Sequence, residues 1–194
     1  LVIVALLLTS LPALAQKGEN VAIYVHPTTF PDFDPSISFS NDSVVMSNAY
    51  ETLVWYNPPG SEELLSPGLA TSWEANKDAT EWTFHLRKGV KFHDGTDFTA
   101  EAVKYSVERT MKLGMGASYI WSPVKEIEVV DDYTVKFKLS FPAPLDLIVS
   151  SGYGAWIFSP KTTEAHDQGW FDEGHDAGTG PYMLTTHERG QRVI

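Results

Sequence analysis

Apolar residues along this chain fall into runs of different period, and each period predicts a different element. The first run is continuous, from Leu1 to Leu8. It is too short for a membrane span, which needs about 20 apolar residues. Small residues follow at Ala13 and Ala15, in the spacing of a secretory cleavage site. Residues 1–15 are therefore expected to be a signal peptide. Its basic flank and initiator Met are missing, which implies a sequence cut at its start. Gln16 stands where a lipid-anchored protein would carry Cys, so the mature chain is expected to be exported and soluble.

Asn20 to Val25 is a short β-branched and aromatic run and reads as a strand. Pro27, Pro31 and Pro35 hold the next segment extended as a loop. Val45, Met46, Ala49, Tyr50, Leu53 and Val54 then recur at helical spacing. They predict one helix, stopped by Asn57-Pro58-Pro59-Gly60. Strict alternation takes over at Trp82, Phe84 and Leu86, with Thr83, His85 and Arg87 on the other face of the strand. Lys88-Gly89 turns the chain, and Val90 to Phe92 can return as a strand. Asp94-Gly95 is a turn dipeptide, because glycine takes positive φ freely and Asp bonds nearby amides. Thr99 suits a helix N-cap and Glu101 its first turn. Val103, Val107 and Met111 give a helical face from Ala100 to Lys112, ended by Gly114 and Gly116. Val124 to Leu139 reads as a hairpin. Ile127 and Val129 alternate on one arm and Tyr133, Val135, Phe137 and Leu139 on the other, around Asp131-Asp132. Pro142 and Pro144 break the second arm, and Leu145 to Ser150 reads as a helical turn. Ser151–Gly154 and Thr162–Gly180 read as loops. Tyr182 to Thr186 reads as a strand whose partner runs to Ile194.

Charge narrows the partners. Fourteen basic residues face 25 acidic ones, for a net charge of −11; that balance repels a phosphate backbone and argues against nucleic acid. The chain has no cysteine, which excludes a disulfide framework, a zinc ribbon and a thiol nucleophile.

Three stretches carry candidate chemistry. His93-Asp94-Gly95-Thr96-Asp97 lacks the ligand spacing of a calcium loop and reads as a turn plus helix cap. His166 and His175 lie near Asp167, Asp172, Glu173 and Asp176, residue types that bind transition metals, but at no zinc spacing. A metal-binding module is one alternative. Ser122-Pro123-Val124-Lys125 matches S-x-x-K, so a secreted serine hydrolase is another. That chemistry needs Ser122 and Lys125 one helical turn apart, and the alternation that follows predicts a strand instead. Aromatics in irregular segments, Phe30, Phe33, Tyr119, Trp121, Tyr153 and Trp156, are candidates for lining a ligand pocket.

The order of motifs resembles the solute-binding proteins of ABC importers in the dipeptide, oligopeptide and nickel group, family 5. The resemblance rests on Asp34-Pro35, on Tyr50 to Val54, and on Pro67-Gly68-Leu69-Ala70-Thr71-Ser72-Trp73-Glu74. It continues through Trp82 to Gly95, Phe98-Thr99-Ala100-Glu101, Tyr133-Thr134-Val135 and Gly178-Thr179-Gly180-Pro181-Tyr182. Ala102 departs from it, standing where the family often has an acidic residue. The resemblance implies a mixed α/β (α+β), periplasmic-binding-protein-like two-lobed fold, of which this chain is an N-terminal fragment. The first lobe would start at 16–45, an inserted subdomain would fill 46–170, and the chain would return to the first lobe over 171–194, with the second lobe absent. It also implies a periplasmic receptor without catalysis or cofactor. Such a receptor, expected to be monomeric, would pass a peptide-like or metal-chelate solute to an ABC permease. His26, Pro27, Thr28, Thr29 and Phe30 are the expected first-lobe wall, with Tyr119, Trp121 and Trp156 beside them.

Overall fold

The computed structural model describes residues 25, 27, 29, 30 and 32–194. The expected signal peptide, the strand expected at Asn20–Val25 apart from Val25 itself, and the candidates His26 and Thr28 lie outside the described residues.

Among the described residues, the larger of two hydrophobic cores is built on an antiparallel sheet. Its order is β3 (Ala70–Ala75), β4 (Glu81–Leu86), β6 (Thr134–Leu139), β5 (Val124–Asp131). The alternation expected for β4 is observed: Trp82, Phe84 and Leu86 are buried, while Glu81, Thr83 and His85 are not. Their partners across the ladder include Phe137 opposite Trp82 and Val135 opposite Phe84, so the apolar faces register. The β5–β6 hairpin forms where expected, with the Tyr133 amide donating to Asp131 Oδ1 at 2.8 Å to close its turn. Helix α2 (Ala100–Leu113) packs on β5 and β6 through Val103 and Val107. Gly114 ends it in the left-handed region at φ 64°. Met111 does not join the buried face; Ser106 and Thr110 do. Thr99 stands at the N-cap in extended backbone but makes no side-chain cap bond.

The second core gathers Phe33, Met46, Ala49, Tyr50, Trp156, Phe158, Phe171 and Ala177. The chain crosses between cores at two neighbouring points, where the Ile157 amide donates to Glu51 O at 3.0 Å. This crossing explains the largest departure from the sequence reading. The apolar stripe from Val45 to Val54 is not one helix. Helix α1 spans Ser43–Ala49 and buries Met46 and Ala49 in the second core. Tyr50 is already extended (φ −123°, ψ 157°). Leu53 and Val54 belong to the larger core, and Val54 opens β1 (Val54–Tyr56), paired with β2 (Leu65–Pro67). Two cores sampled in succession imitate one helical period.

Three other expectations shift. Val90–Phe92 does not return along β4, whose neighbours are β3 and β6. Instead Phe92 donates to Thr96 O at 2.9 Å, closing the turn that holds Gly95 at φ 82°. The stretch Thr162–Gly180 is not all loop. After α3 (Leu145–Ile148) come α4 (Pro160–Ala165) and α5 (Gln168–Asp172), capped by Ser159 and Asp167, which accept from the Thr162 and Trp170 amides. Caps and a proline at the helix start stabilise helices too short to show a period. The last hairpin is β7 (His187–Glu188) with β8 (Arg192–Val193), so the strand lies beyond Tyr182–Thr186. Its partner does reach Ile194, whose amide donates to Thr186 O at 3.0 Å.

Candidate functional site: an exposed aromatic wall

Three segments from distant parts of the sequence bring aromatic rings together at the surface. The first is the loop after Phe33. Asp34 accepts the Ser36 amide at 2.9 Å through Oδ1, and its carbonyl accepts the amides of Ile37 and Ser38. Arg109 of α2 clamps this turn: Nη1 and Nη2 each donate to Asp34 at 2.7 Å, and Nη1 also donates to Ser36 Oγ at 2.6 Å. Asp42 fixes the far end by accepting from the Ser40 amide at 3.0 Å and from Ser38 Oγ. Between these anchors Phe39 projects outward, 49% exposed.

The second segment is a 3₁₀ turn, Ser118–Trp121. Gly116 (φ 54°) leads into it and lies against the backbone of Ile37, where any Cβ would collide. The contact seats Tyr119 beside Phe39, with ring centroids 6.3 Å apart at 85°. The third segment is Ser151–Ala155, where Gly154 (φ 74°) fits against Ala117. It brings Tyr153 against Phe39 as well, at 5.5 Å and 66°. Ser43 Oγ donates to the Tyr153 hydroxyl at 3.4 Å.

Tyr119 is 65% and Tyr153 39% exposed. Apolar rings gathered and left open on braced loops mark a surface made for contact. The rings stand edge to face and stay largely exposed, and the hydroxyls of Tyr119 and Tyr153 add polar handles. Loops pinned in this way would lose little further conformational entropy against a ligand.

Of the residues expected from sequence, Tyr119 lies in this wall. Trp121 is buried behind it, and its Nε1–H donates to Gly154 O at 2.8 Å, supporting the Tyr153 segment. Trp156 is buried in the second core beside Tyr50, and its Nε1–H has no partner among the described protein groups. Pro27 and Thr29 are exposed, with Thr29 near Gly190 of the β7–β8 turn. Phe30 packs toward Phe33, 6.1 Å away. Phe39 and Ser43 were missed. The one available signal was an aromatic set among serines, Ser38-Phe39-Ser40, in the loop before α1.

The two alternative chemistries lack their geometry. Ser122 closes the 3₁₀ turn while Lys125 lies in β5, so the two do not sit one helical turn apart. His166 and His175 both stack on Trp170, at 4.0 Å and 4.5 Å with near-parallel planes. Two rings so close and parallel to one indole occupy its opposite faces, which keeps them from sharing an ion. Among the described residues no group of three or more His, Asp or Glu is placed to hold a metal.

Comparison with known proteins agrees with the fold. Residues 65–194 match the family described as bacterial extracellular solute-binding proteins, family 5 middle. The probable D,D-dipeptide-binding periplasmic protein DdpA of Escherichia coli K12 is 38% identical over 167 residues, 83% of this chain and 32% of that protein. A structure of MoaA from A. tumefaciens R10 in complex with mannopinic acid superposes with a TM-score of 0.74 at 28% identity, covering 85% of this chain and 34% of that one. The periplasmic binding protein DppA of Helicobacter pylori in complex with the peptide STSA gives 0.70 at 28% identity, covering 84% and 36%. The chain thus spans about a third of the length of the curated relative it matches.

Proposed function

Because this chain belongs to family 5 of the bacterial extracellular solute-binding proteins, we infer that it forms part of a periplasmic receptor that captures a peptide-like solute for an ABC permease. The observation that carries the reading is the aromatic wall of Phe39, Tyr119 and Tyr153, open on braced loops in a chain of that family. Capture would proceed by closure of a second lobe over this wall, with ligand contacts to both sides stabilising the closed form. The wall carries rings and hydroxyls rather than paired acids and bases, so it is suited to hold a solute and not to cleave one. Peptide-like solutes are favoured because two of the three relatives described above are named or shown with peptides.

The two cores support a domain division. The inserted subdomain would run from Thr52 to Ile157, and residues 33–51 and 158–194, joined by Trp156 at the crossing, would build the first lobe around the second core. The support is that entry and exit lie side by side, at the Glu51–Ile157 bridge, as they must where one unit is spliced into a loop of another. This boundary is narrower than the 46–170 expected from sequence.

Calorimetric titration of the intact protein with a panel of di- and tripeptides tests the reading. Phe39→Ala and Tyr119→Ala are each expected to weaken binding by about tenfold, as loss of a well-placed aromatic contact does, with the melting temperature unchanged. If peptides bind and both variants bind them as the parent does, the wall is not the site. If no peptide binds, the solute class is wrong.

A further inference from the structure

His93 stands where the Phe92–Asp97 turn meets the segment that follows α5, and both of its ring nitrogens face acceptors. Nε2 lies 2.8 Å from the Gly180 carbonyl oxygen, and Nδ1 is paired with Oδ1 of Asp176. The His93 side chain is 12% exposed and that of Asp176 2%. A carbonyl oxygen can only accept, so Nε2 must carry a proton. Asp176 also accepts, from the Gly178 amide at 3.0 Å and the Leu184 amide at 2.6 Å. Amides already donate to both of its oxygens, so in this pair Asp176 accepts and Nδ1 donates. A neutral imidazole has one N–H and would set a lone pair against one of these acceptors.

We propose that His93 acts as a positively charged latch between the two cores, and that loss of its proton loosens the Asp176–Tyr182 segment from helix α1. The segment held by the latch makes the junction between cores. The His93 amide donates to Gly178 O at 2.9 Å, Gly180 donates to Ala49 O at 2.9 Å and Tyr182 to Asn48 O at 3.1 Å. Thr179 Oγ1 donates to Glu51 Oε2 at 2.8 Å. Helix α1 also begins at Ser43, which touches Tyr153 of the aromatic wall, so latch and wall share one helix.

Two carboxylates beside the latch favour the imidazolium. Asp176 faces it from the following segment and Asp94 from its own turn. Glu51 reaches the same segment through Thr179. Tyr50 accepts from the Ala177 amide at 3.0 Å; burial, then the charge of Asp176, keeps its hydroxyl protonated. At the start of α4, the cap Ser159 and Thr162 present hydroxyls to Asp94 and no charge. Burial alone would lower the His93 pKa, but the bonds to Asp176 and Gly180 and the two nearby acids outweigh it, and the result lies above 6.5. The latch is therefore fully closed below pH 6.5 and opens as pH rises through the folded-state value.

The test uses the intact protein labelled with ¹⁵N, followed from pH 5 to 9 by imidazole nitrogen spectra and by hydrogen exchange at the Gly180 and Tyr182 amides. At pH 6.5 both His93 nitrogens should carry protons, with a midpoint above that value. Corrected for intrinsic rates, exchange at the two amides should rise by about tenfold or more across the titration, the scale of one charge-assisted hydrogen bond. In His93→Gln that pH dependence should vanish. A singly protonated ring at pH 6.5, a midpoint at or below 6.5, or protection that ignores the titration each overturns the proposal. Should His93→Gln fail to fold, the parent spectra and exchange decide alone.

Discussion

The clamp between Arg109 and Asp34 gives the sharpest test of how the wall is held. Truncating Arg109 to Ala removes two charge-assisted hydrogen bonds to Asp34 and one to Ser36, together with a guanidinium placed 5.6 Å from the Phe158 ring centroid. The Asp34 side chain is 2% exposed, so its carboxylate stays buried and loses its counter-charge. Breaking a buried pair in this way costs about 3–5 kcal/mol. Arg109 is 17% exposed and water can enter the space it leaves, so about 2–3 kcal/mol is the better expectation. For a chain of this size that corresponds to a fall in melting temperature of roughly 5–10 °C. Urea unfolding should show a lower midpoint with an unchanged slope. Hydrogen exchange should accelerate at Ile37 and Ser38, whose amides donate to Asp34 O. Arg109→Lys should recover part of the loss, since it restores charge without the two-pronged geometry. The paired change Asp34→Asn with Arg109→Gln should be less damaging than Arg109→Gln alone, because no charge is stranded. Were the double variant as unstable as the single, or Arg109→Ala to cost under about 1 kcal/mol, the stranded-charge account would be wrong.

Three further outcomes follow from the same geometry. Gly178→Ala would drive a Cβ into Ala49 O, and should destabilise by about 2–4 kcal/mol, read by chemical denaturation. Asp94 has its carboxyl lowered to about 2: partial burial pushes it up, but bonds from Ser159, Thr96 and Thr162 outweigh that. Its contribution is present above pH 3.8 and lost as pH falls through about 2. Asp94→Asn should thus flatten the acid limb of the stability curve, by about 1 kcal/mol once exposure is discounted. Asp32 is raised to about 6, first by burial and then, against a bond from the Asp34 amide, by Asp172. The unfolded chain releases that proton near pH 3.8 while the folded one holds it to about 6, so the ionised carboxylate penalises folding above that window. Asp32→Asn should accordingly raise stability at pH 7 by about 1–2 kcal/mol and leave it unchanged near pH 3.

The sequence by itself determined the sheet and its helix. Trp82, Phe84 and Leu86 alternate because one face of β4 is covered, and Val103 and Val107 repeat because one face of α2 is covered. Asp131-Asp132 and Gly114 mark ends whose chemistry is local. Such signals survive in sequence because each depends on neighbours within a few positions. The motif order carried the family for the same reason. What only the tertiary structure decided was every feature that joins distant segments. Leu53 and Val54 left the helical stripe because a second core claimed Met46 and Ala49. Asp94 read as a turn residue, and it is one, yet it also holds the start of α4 through Ser159 and Thr162. Trp121 and Tyr119 stand two positions apart, and nothing local says that one is buried while the other joins Phe39 at the surface. A residue's period reports whether its element has a covered side. It holds no record of which element does the covering, because that is set by packing between parts of the chain that share no local geometry.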